Sequence, residues 1–369
     1  MSVSYGGSSI TFEDGSIVSS GSQGFKNKII NGAMMIDQRN AGASYSAVDS
    51  TYGLDRWKLA SYDSSAQTGK YTVIQSSTAP AGFTNSMLIT SSAATTINAS
   101  SIYWIGQMIE GFNTADLDFG IATAKTITVS FWVRSSLTGT FGGAISNSAA
   151  NRSYPFSYTI NSANTFEYKT VTITGDTSGT WLTTNGIGIR IFFNLGSGTT
   201  YQGTANAWAA GQFTSVTGTT SLLATSGATL YIAGVQLEKG TTASSFEFRS
   251  YGKELILCQR YYETTYPTGT AVGTASTDAS APVAYSMGDS SVVTQQIIWQ
   301  YKVRKGSAPT VTVYNPNSGA SGSARYAGSL NINFSAAGSR VDQATFGSAT
   351  VGMNINNTFS YFMVASAEL

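Results

Sequence analysis

Apolar and polar residues alternate with a period of two along most of this chain of 369 residues, which limits its fold more than any other feature. The alternating stretches are rich in β-branched and aromatic residues and end at Gly, Asn or Ser, as strands with one buried face do. Long connections rich in Ser, Thr, Gly and Ala separate them, which is typical of an antiparallel sandwich with elaborated loops. We therefore predict an all-β fold. The clearest stretches are KTITVSFWVR (125–134), FEYKTVTITG (166–175), GIGIRIFFNLG (186–196), ATLYIAGVQLEKG (228–240), VVTQQIIWQYKVRKG (292–306), PTVTVYNPNSG (309–319), SLNINFSAAG (329–338) and FSYFMVASAEL (359–369).

One segment departs from this alternation. YGKELILCQRYYETTY (251–266) has apolar residues near helical spacing among strong helix formers, which predicts a short helix over about 252–262. The alternative interpretation is a bulged strand. Because the segment separates two strand-rich regions, we predict an N-terminal arm over 1–26, a large antiparallel jelly-roll sandwich over 27–250, a connecting helix over 251–264 and a smaller C-terminal β-sandwich over 265–369.

The first residues indicate an arm. SITFEDGSIVSSG places Ile10 and Phe12 before the pair Asp14 and Gly15 and places Ile17 after it, and Asp-Gly between alternating apolar residues is a strong hairpin signal. A single hairpin of this size is not stable alone, so it must dock on the body, on another copy or on a partner. The following SSGSQG is a flexible linker by composition. We predict that these five residues serve attachment or oligomerisation; the alternative is a disordered tail.

A strongly apolar run follows the arm. NKIINGAMMIDQRNAG (27–42) is too apolar for a surface, and we predict that it forms the first strand of the sandwich, with a bend at Asn31 and Gly32. Trp57, in YGLDRWKL (52–59), is expected to fill the core rather than to contact a ligand.

Charged residues make up only 11% of the chain, against roughly 25% in an average soluble domain. The low charge indicates a protein that sits in an assembly, and the formal net charge of +1 gives no field to attract nucleic acid or an anionic membrane. The chain has no His and one Cys, Cys258, which excludes His-dependent triads and Cys-based zinc sites. MSVSYGGSSITFEDGS lacks the features of a signal peptide, and no run approaches 18 apolar residues. We therefore expect cytoplasmic synthesis and no membrane insertion.

The acidic residues give weak support for catalysis, so we predict that the protein is not an enzyme. Glycoside hydrolysis needs two carboxylates that face one another, and Glu238 is followed by Lys239, with which it is expected to form a solvated pair. Asp116 and Asp118 could share a strand face and bind Ca²⁺, although turn capping or solvation is the alternative. No other metal or cofactor is expected. GTFGGA (139–144) lacks the Lys-Ser/Thr of a phosphate-binding loop and is interpreted as an ordinary loop.

Aromatic residues make up 12% of the chain and favour a ligand surface instead. Tyr and Trp rings stack on the C–H faces of sugars, while their O–H and N–H groups form hydrogen bonds. Four of them are expected in loops, and one member of an adjacent pair must point outward if that segment is a strand. The alternative for each is ordinary packing. The candidates are Tyr154, Trp181, Tyr201 and Trp208 in loops, and the pair Tyr103 and Trp104.

Three pieces of the sequence resemble known families. TFEDGSIVSS resembles a hairpin near the ends of many phage tail and head fibre proteins. NKIINGAMMIDQRNAG, followed by YGLDRWKL, resembles the opening of a widespread group of phage structural proteins that includes tail fibres. ITVSFWVR and LYIAGVQLEKG resemble strands of jelly-roll carbohydrate-binding modules. Together the resemblances cover about residues 10–262.

These resemblances imply a phage tail fibre that is exposed on the virion. Its N-terminal arm would contact other tail or capsid proteins, its body would bind a host-surface glycan without catalysis, and it would be a homotrimer. One alternative is a head fibre or a capsid or tail decoration protein with a purely structural role. The other is a polysaccharide depolymerase, against which the lack of a sequence repeat argues, because β-helix depolymerases have repeats.

Overall fold

The computed structural model describes residues 4–6, 9–11, 17–19, 25–63, 68–276, 281–285, 293–326, 330–333, 335–350 and 358–369. Three short antiparallel strands lie near the N-terminus: β1 (Ser4–Gly6), β2 (Ser9–Thr11) and β3 (Ile17–Ser19). β2 pairs with β3, with Thr11 opposite Ile17, at the place where the hairpin was predicted. Phe12, Asp14 and Gly15 of that hairpin lie outside the described residues, and its attachment role stays a prediction.

Two six-stranded antiparallel sheets form a jelly-roll sandwich, as predicted. Sheet A has the strand order β15-β11-β10-β13-β8-β5, and sheet B has the order β12-β9-β17-β7-β6-β4. The two-residue strands β14 and β16 pair separately. The strands are β4 (Tyr45–Val48), β5 (Lys58–Tyr62), β6 (Thr68–Ser76), β7 (Ser86–Ser91), β8 (Ile102–Glu110), β9 (Ile127–Ser135), β10 (Gly139–Ser146), β11 (Arg152–Ile160), β12 (Glu167–Ile173), β13 (Ile187–Ser197), β14 (Gln202–Gly203), β15 (Ala209–Ala210), β16 (Ser215–Val216) and β17 (Thr229–Lys239). Short 3₁₀ turns occupy Gly111–Asn113, Ala115–Leu117, Thr199–Tyr201 and Leu222–Ala224.

The period-two pattern sets which face of each strand enters the core. In β9 the alternate residues Ile127, Val129, Phe131 and Val133 are fully buried. Phe131 lies against Phe193 of sheet A, with ring centroids 4.9 Å apart. Trp57 is also fully buried in this core, which confirms the expectation that it fills the interior.

The prediction that residues 27–42 form a strand is wrong, although the bend at Asn31 and Gly32 is present. Backbone N–H and C=O groups of this segment form hydrogen bonds with side chains instead of with a neighbouring strand. The amide of Asn31 bonds the backbone N and O of Ile36, at 2.9 and 2.8 Å. The amide of Gln107 on β8 bonds both the N and the O of Ile30, each at 2.8 Å. Asn31 also has a positive φ of 58°, which a strand does not allow.

The interpretation of GTFGGA as a loop is also wrong, because Gly139–Ser146 is the strand β10 of sheet A. A Cβ on Gly143 would lie 2.5 Å from the ring of Phe156 and 2.5 Å from the carbonyl oxygen of Phe192. The glycine therefore admits a large aromatic side chain beside the backbone.

The predicted connecting helix is present as α1 (Tyr251–Gln259). It ends before Tyr262, because that residue begins the next strand. The C-terminal region forms three small antiparallel sheets, with the orders β18-β27-β21, β19-β26-β22-β23 and β20-β25-β24. The strands are β18 (Tyr262–Thr264), β19 (Val283–Tyr285), β20 (Val293–Gln300), β21 (Thr310–Tyr314), β22 (Ser323–Tyr326), β23 (Leu330–Asn333), β24 (Ser335–Ser339), β25 (Gln343–Thr350), β26 (Thr358–Ser360) and β27 (Phe362–Ser366). No helix in the described part of the chain is long and apolar enough to cross a membrane.

Ion pairs connect the sandwich, the helix region and the C-terminal strands. Each involves a carboxylate whose side chain is at most 5% exposed. Moving these regions apart would be costly, because each broken pair would leave a buried charge without its partner. They are Arg39 and Arg56 with Glu368, Arg260 with Glu110 at 2.5 Å, and Lys305 with Glu263 at 2.5 Å.

Candidate functional site

Two of the aromatic residues proposed as ligand contacts are buried. Tyr154 was expected in a loop, but it lies in β11 and is 5% exposed, because its ring faces the core between the sheets. Tyr103 is fully buried, and its hydroxyl donates a hydrogen bond to the Asp63 carboxylate at 2.6 Å. Neither ring offers a face to a ligand in this structure, which favours the packing alternative for both residues.

Trp181 and Trp208 come together at one end of the sandwich, with ring centroids 5.5 Å apart. They pack with Phe119 and Tyr154 in edge-to-face contacts against the core. Their indole N–H groups donate to backbone carbonyls, of Ser178 at 3.1 Å and of Thr174 at 2.7 Å. Both polar groups therefore hold loops in place, and the packing interpretation is favoured for this pair.

Tyr201 lies in a different loop segment from Trp181 and Trp208. It ends the 3₁₀ turn Thr199–Tyr201 and is half-buried, and its carbonyl accepts a hydrogen bond from the Thr214 amide at 2.9 Å. Its part in ligand binding stays a prediction.

Trp104 is the predicted contact that lies on an open face. Within β8, Tyr103 points into the core and Trp104 points to the outer face of sheet A, as the alternation requires. Trp104 lies opposite Ala60 of β5 and opposite Asn194 of β13. Its ring rests against Phe192, with centroids 4.6 Å apart and planes at 45°. The contact with Phe192 fixes the indole while leaving it half-buried.

A depression with a volume of about 400 Å³ surrounds Trp104 on this outer face, and we call it the sheet A cleft. Strands β5, β8 and β13 form its floor, and the turn after β4 and the loop after β15 reach its edge. Tyr62 is 37% exposed at the end of β5. The side chains that give the cleft its chemistry are Asp49, Lys58, Tyr62, Trp104, Arg190 and Gln212.

The cleft holds two cations close to one another. Burial lowers the pKa of Lys58, and the neighbouring charge of Arg190 lowers it further. Burial also lowers the pKa of Arg190. The Arg190 Nε and the Trp104 Nε1 are both shielded from solvent, and neither has a hydrogen-bond partner among the residues that the structure describes. The cleft therefore combines aromatic surface with unsatisfied hydrogen-bond donors.

A second aromatic depression, of about 530 Å³, lies on the outer face of sheet B. Trp132 and Tyr168 stand side by side there, with ring centroids 5.3 Å apart. The Ser244 hydroxyl at its edge is already engaged, by the Glu238 carboxylate at 2.6 Å and by the Lys26 ammonium at 2.8 Å. This surface offers aromatic rings, whereas the sheet A cleft also contains the cations Lys58 and Arg190.

Asp116 and Asp118 do not share a strand face, because Asp116 is in the 3₁₀ turn Ala115–Leu117 and Asp118 follows it with a φ of 54°. Asp116 accepts from Lys28 at 2.8 Å and pairs with Lys239 at 3.3 Å. Although burial disfavours the carboxylate, these lysines hold the pKa of Asp116 below its usual value. Asp118 pairs with Lys125 at 3.6 Å. Both aspartates thus have cationic partners, and no group of three or more acidic or Cys side chains with metal-site spacing occurs among the described residues.

The expectation that Glu238 forms a solvated pair with Lys239 is wrong. It is 4% exposed and accepts hydrogen bonds from Gln236 at 2.8 Å and from the amide and hydroxyl of Ser244 at 2.8 and 2.6 Å. It therefore holds the chain that follows β17 against the sheet.

Five residues of the cleft were not predicted from the sequence. One signal was available: Lys58 and Arg190 are charged residues at outward positions of strongly apolar strands. Their proximity depends on how β5, β8 and β13 align, and strand order is not evident from one sequence. The missed residues are Asp49, Lys58, Tyr62, Arg190 and Gln212.

No family model matches the chain, and no curated protein sequence does. Solved structures that match part of it include the enzymatically active domain of tailspike protein 4 of bacteriophage CBA120, with 14% identity and a TM-score of 0.31 over 58% of this chain and 21% of that chain. A putative sugar-binding protein from Bacteroides thetaiotaomicron is 14% identical, with a TM-score of 0.33 over 58% of this chain and 100% of that chain. The family 11 carbohydrate-binding module from Clostridium thermocellum, in complex with a mixed-linked tetrasaccharide, is 13% identical, with a TM-score of 0.26 over 54% of this chain and 98% of that chain. The named ligands and activities are properties of those proteins.

Proposed function

We propose that this protein binds a glycan of a bacterial surface through the sheet A cleft, without catalysis, as a receptor-binding fibre of a phage virion. The observation that carries the binding proposal is the half-buried Trp104 indole in one cleft with Tyr62 and with Arg190, whose Nε has no hydrogen-bond partner among the described residues. An aromatic ring gives a sugar an apolar platform, while neighbouring donors select among its oxygens.

The chemistry of the cleft suits binding rather than hydrolysis. Asp49 is the carboxylate among the residues that line it, and both of its oxygens are engaged, by the Ser61 amide at 3.0 Å and by the Ser50 hydroxyl at 3.2 Å. Glycoside hydrolysis needs a second carboxylate across the scissile bond. The proposed mode of binding needs no cofactor.

Affinity electrophoresis on polysaccharides extracted from candidate hosts tests the binding proposal. Trp104→Ala is expected to remove the retardation that the wild-type chain shows. Trp132→Ala is the matched control, because it deletes a half-buried tryptophan from the outer face of the other sheet. If Trp132→Ala removes binding and Trp104→Ala preserves it, the site is on sheet B and the assignment is wrong. Release of reducing ends from the polysaccharide would establish a depolymerase instead.

The assignment to a virion fibre is supported by the resemblance of TFEDGSIVSS, and of NKIINGAMMIDQRNAG followed by YGLDRWKL, to phage fibre and structural proteins. In this proposal residues 1–26 attach the protein to tail or capsid proteins, and a homotrimer multiplies weak sites into strong avidity. Light scattering coupled to size-exclusion chromatography tests the trimer, and a monomer would contradict it. A chain without residues 1–24 should fail to join particles.

A head fibre or decoration protein with a structural role is the second candidate. The same arm would then hold the protein on the capsid. Immunogold labelling of virions distinguishes the two locations, because the fibre proposal expects label at the tail tip and the decoration proposal expects label over the head.

A further inference from the structure

Arg190 differs from the other arginines that the fold shields from solvent. Eight buried or half-buried cations each have a carboxylate within 3.1 Å in the described parts of the chain: Lys28, Arg39, Arg56, Arg152, Lys169, Arg249, Arg260 and Lys305. Arg134 has no such carboxylate but lies over the rings of Tyr231 and Phe166, at 5.0 and 5.8 Å. Arg190 has neither kind of partner among the described residues, and its Nε is buried without a hydrogen bond.

Lys58 is the second cation of the cleft. Its ammonium donates at 3.3 Å to a carboxylate oxygen of Leu369, the last residue of the described chain, and the same oxygen accepts from the Tyr52 hydroxyl at 2.8 Å. The nearest acidic side chains that favour its charge are Glu368, which pairs with two arginines, and Asp49. No side-chain carboxylate pairs directly with Lys58 in the described structure.

The strand register places the two cations on one face, on either side of β8. Lys58 of β5 lies opposite Gly106, and Arg190 of β13 lies opposite Met108. Because adjacent strands are about 4.8 Å apart, the two backbones are roughly 10 Å apart, which is wide enough for one sugar ring between the side chains. Trp104 is two residues along β8 from Gly106 on the same face.

Two like charges in a partly buried site destabilise one another, and each is costly without a counter-charge. An anion between them relieves both costs and forms charge-assisted hydrogen bonds, and arginine suits a carboxylate or a phosphate because its donors form a fork. A neutral sugar would leave Arg190 without a counter-charge among the described residues.

We propose that the sheet A cleft is specific for an acidic saccharide, whose carboxylate or phosphate lies between Arg190 and Lys58 while a ring stacks on Trp104. This specificity rests on the proposed glycan-binding function, and it adds the chemical class of the ligand.

Matched pairs of glycans on one array test the proposal with the full chain. The pairs are hexagalacturonate and its methyl ester, which share rings and linkages and differ in charge, and a phosphomannan fragment with its dephosphorylated form. We expect at least one acidic member to bind about tenfold or more tightly than its neutral partner in 50 mM salt, with the difference much reduced in 500 mM salt. Which acidic member shows the preference identifies the anion as carboxylate or phosphate.

Arg190→Gln should abolish the preference for the acidic member and leave weaker binding that does not depend on charge. Lys58→Gln, on the neighbouring strand, should reduce the same preference, and it serves as a second variant if the first has an altered thermal midpoint. Arg134→Gln is the matched control, since Arg134 is an arginine without a carboxylate on the outer face of sheet B. It should keep the full preference.

Three results would overturn the proposal, and they differ in their consequence. Equal binding of charged and neutral members, lost in Trp104→Ala, would refute the anionic specificity and leave the glycan-binding function intact. Absence of binding to both acidic members, with binding to host polysaccharide retained, would refute the anionic specificity, and binding that Trp104→Ala retains would refute both proposals.

Discussion

The buried pair of Glu263 and Lys305 allows a quantitative test of how the C-terminal region is held. Both side chains are fully buried. The ammonium of Lys305 donates to the Glu263 carboxylate and to the carbonyl of Gln259 at the end of α1, each at 2.5 Å. The second oxygen of Glu263 accepts from the Lys302 amide at 3.0 Å. The pair therefore connects the helix, β18 and the segment that follows β20.

Glu263→Gln leaves a buried ammonium without its counter-charge, and Lys305→Met leaves a buried carboxylate. Removing one partner of a buried pair costs about 3–5 kcal/mol. The double variant removes both charges, so its unfolding free energy should lie within about 2 kcal/mol of the wild type, because replacing a buried pair by uncharged groups is often nearly neutral. The coupling between the two substitutions is therefore expected to be several kcal/mol.

Urea unfolding followed by tryptophan fluorescence measures these effects, with the transition of the C-terminal region treated separately, since a chain of this size need not unfold in one step. Trp299 reports locally, because its ring lies 5.0 Å from that of Tyr301, which in turn lies 4.8 Å from the Lys305 ammonium. Single variants that cost less than 1 kcal/mol, or costs that simply add in the double variant, would refute the reasoning.

Three further predictions concern the jelly roll and its junction. Burial raises the pKa of Asp55 from 3.8 to about 7, so the folded state binds a proton more tightly than the unfolded state and the stability of the wild type falls as the pH rises from 4 to 7. In urea titrations the unfolding free energy of Asp55→Asn, relative to that of the wild type, should therefore rise by up to about 4 kcal/mol between pH 4 and pH 8. A difference that stays constant with pH would contradict this prediction. Gly143→Ala should lose about 1–3 kcal/mol, because its Cβ would collide with Phe156. Gly338→Ala, in β24 with no described neighbour within 4 Å, is the matched control and should change the unfolding free energy little. Trp57→Ala should lose about 3–5 kcal/mol and lower the thermal midpoint, since the indole is fully buried; a normal midpoint would show that the core does not depend on it.

The strands were largely predictable from the sequence because burial on one face produces a visible period. The stretch 186–196 corresponds to Ile187–Ser197, and 228–240 corresponds to Thr229–Lys239. The prediction of a strand over residues 27–42 was wrong for a physical reason. They are as buried as a strand, but Asn31 and Gln107 replace the β-ladder with side-chain hydrogen bonds, which hydrophobicity does not reveal.

The candidate site was predictable only in part. Alternation along β8 required that Tyr103 and Trp104 face opposite ways, and Trp104 is the one that lies outside. Tyr62 and Arg190 join it only through the register of strands that are far apart in the chain. Trp181 and Trp208 were predicted as ligand contacts because they lie in loops. In the structure they pack together and their N–H groups donate to backbone carbonyls, which the sequence does not reveal.

Hydroxyl-radical footprinting, read by mass spectrometry with and without a saturating bound glycan, tests the central claim most directly because it reports each aromatic ring separately. We expect Trp104 and Tyr62 to become protected, while Trp132, Tyr168 and Trp181 keep their oxidation rates. Protection of Trp132 and Tyr168, with Trp104 unchanged, would contradict the account and place the ligand on the outer face of sheet B.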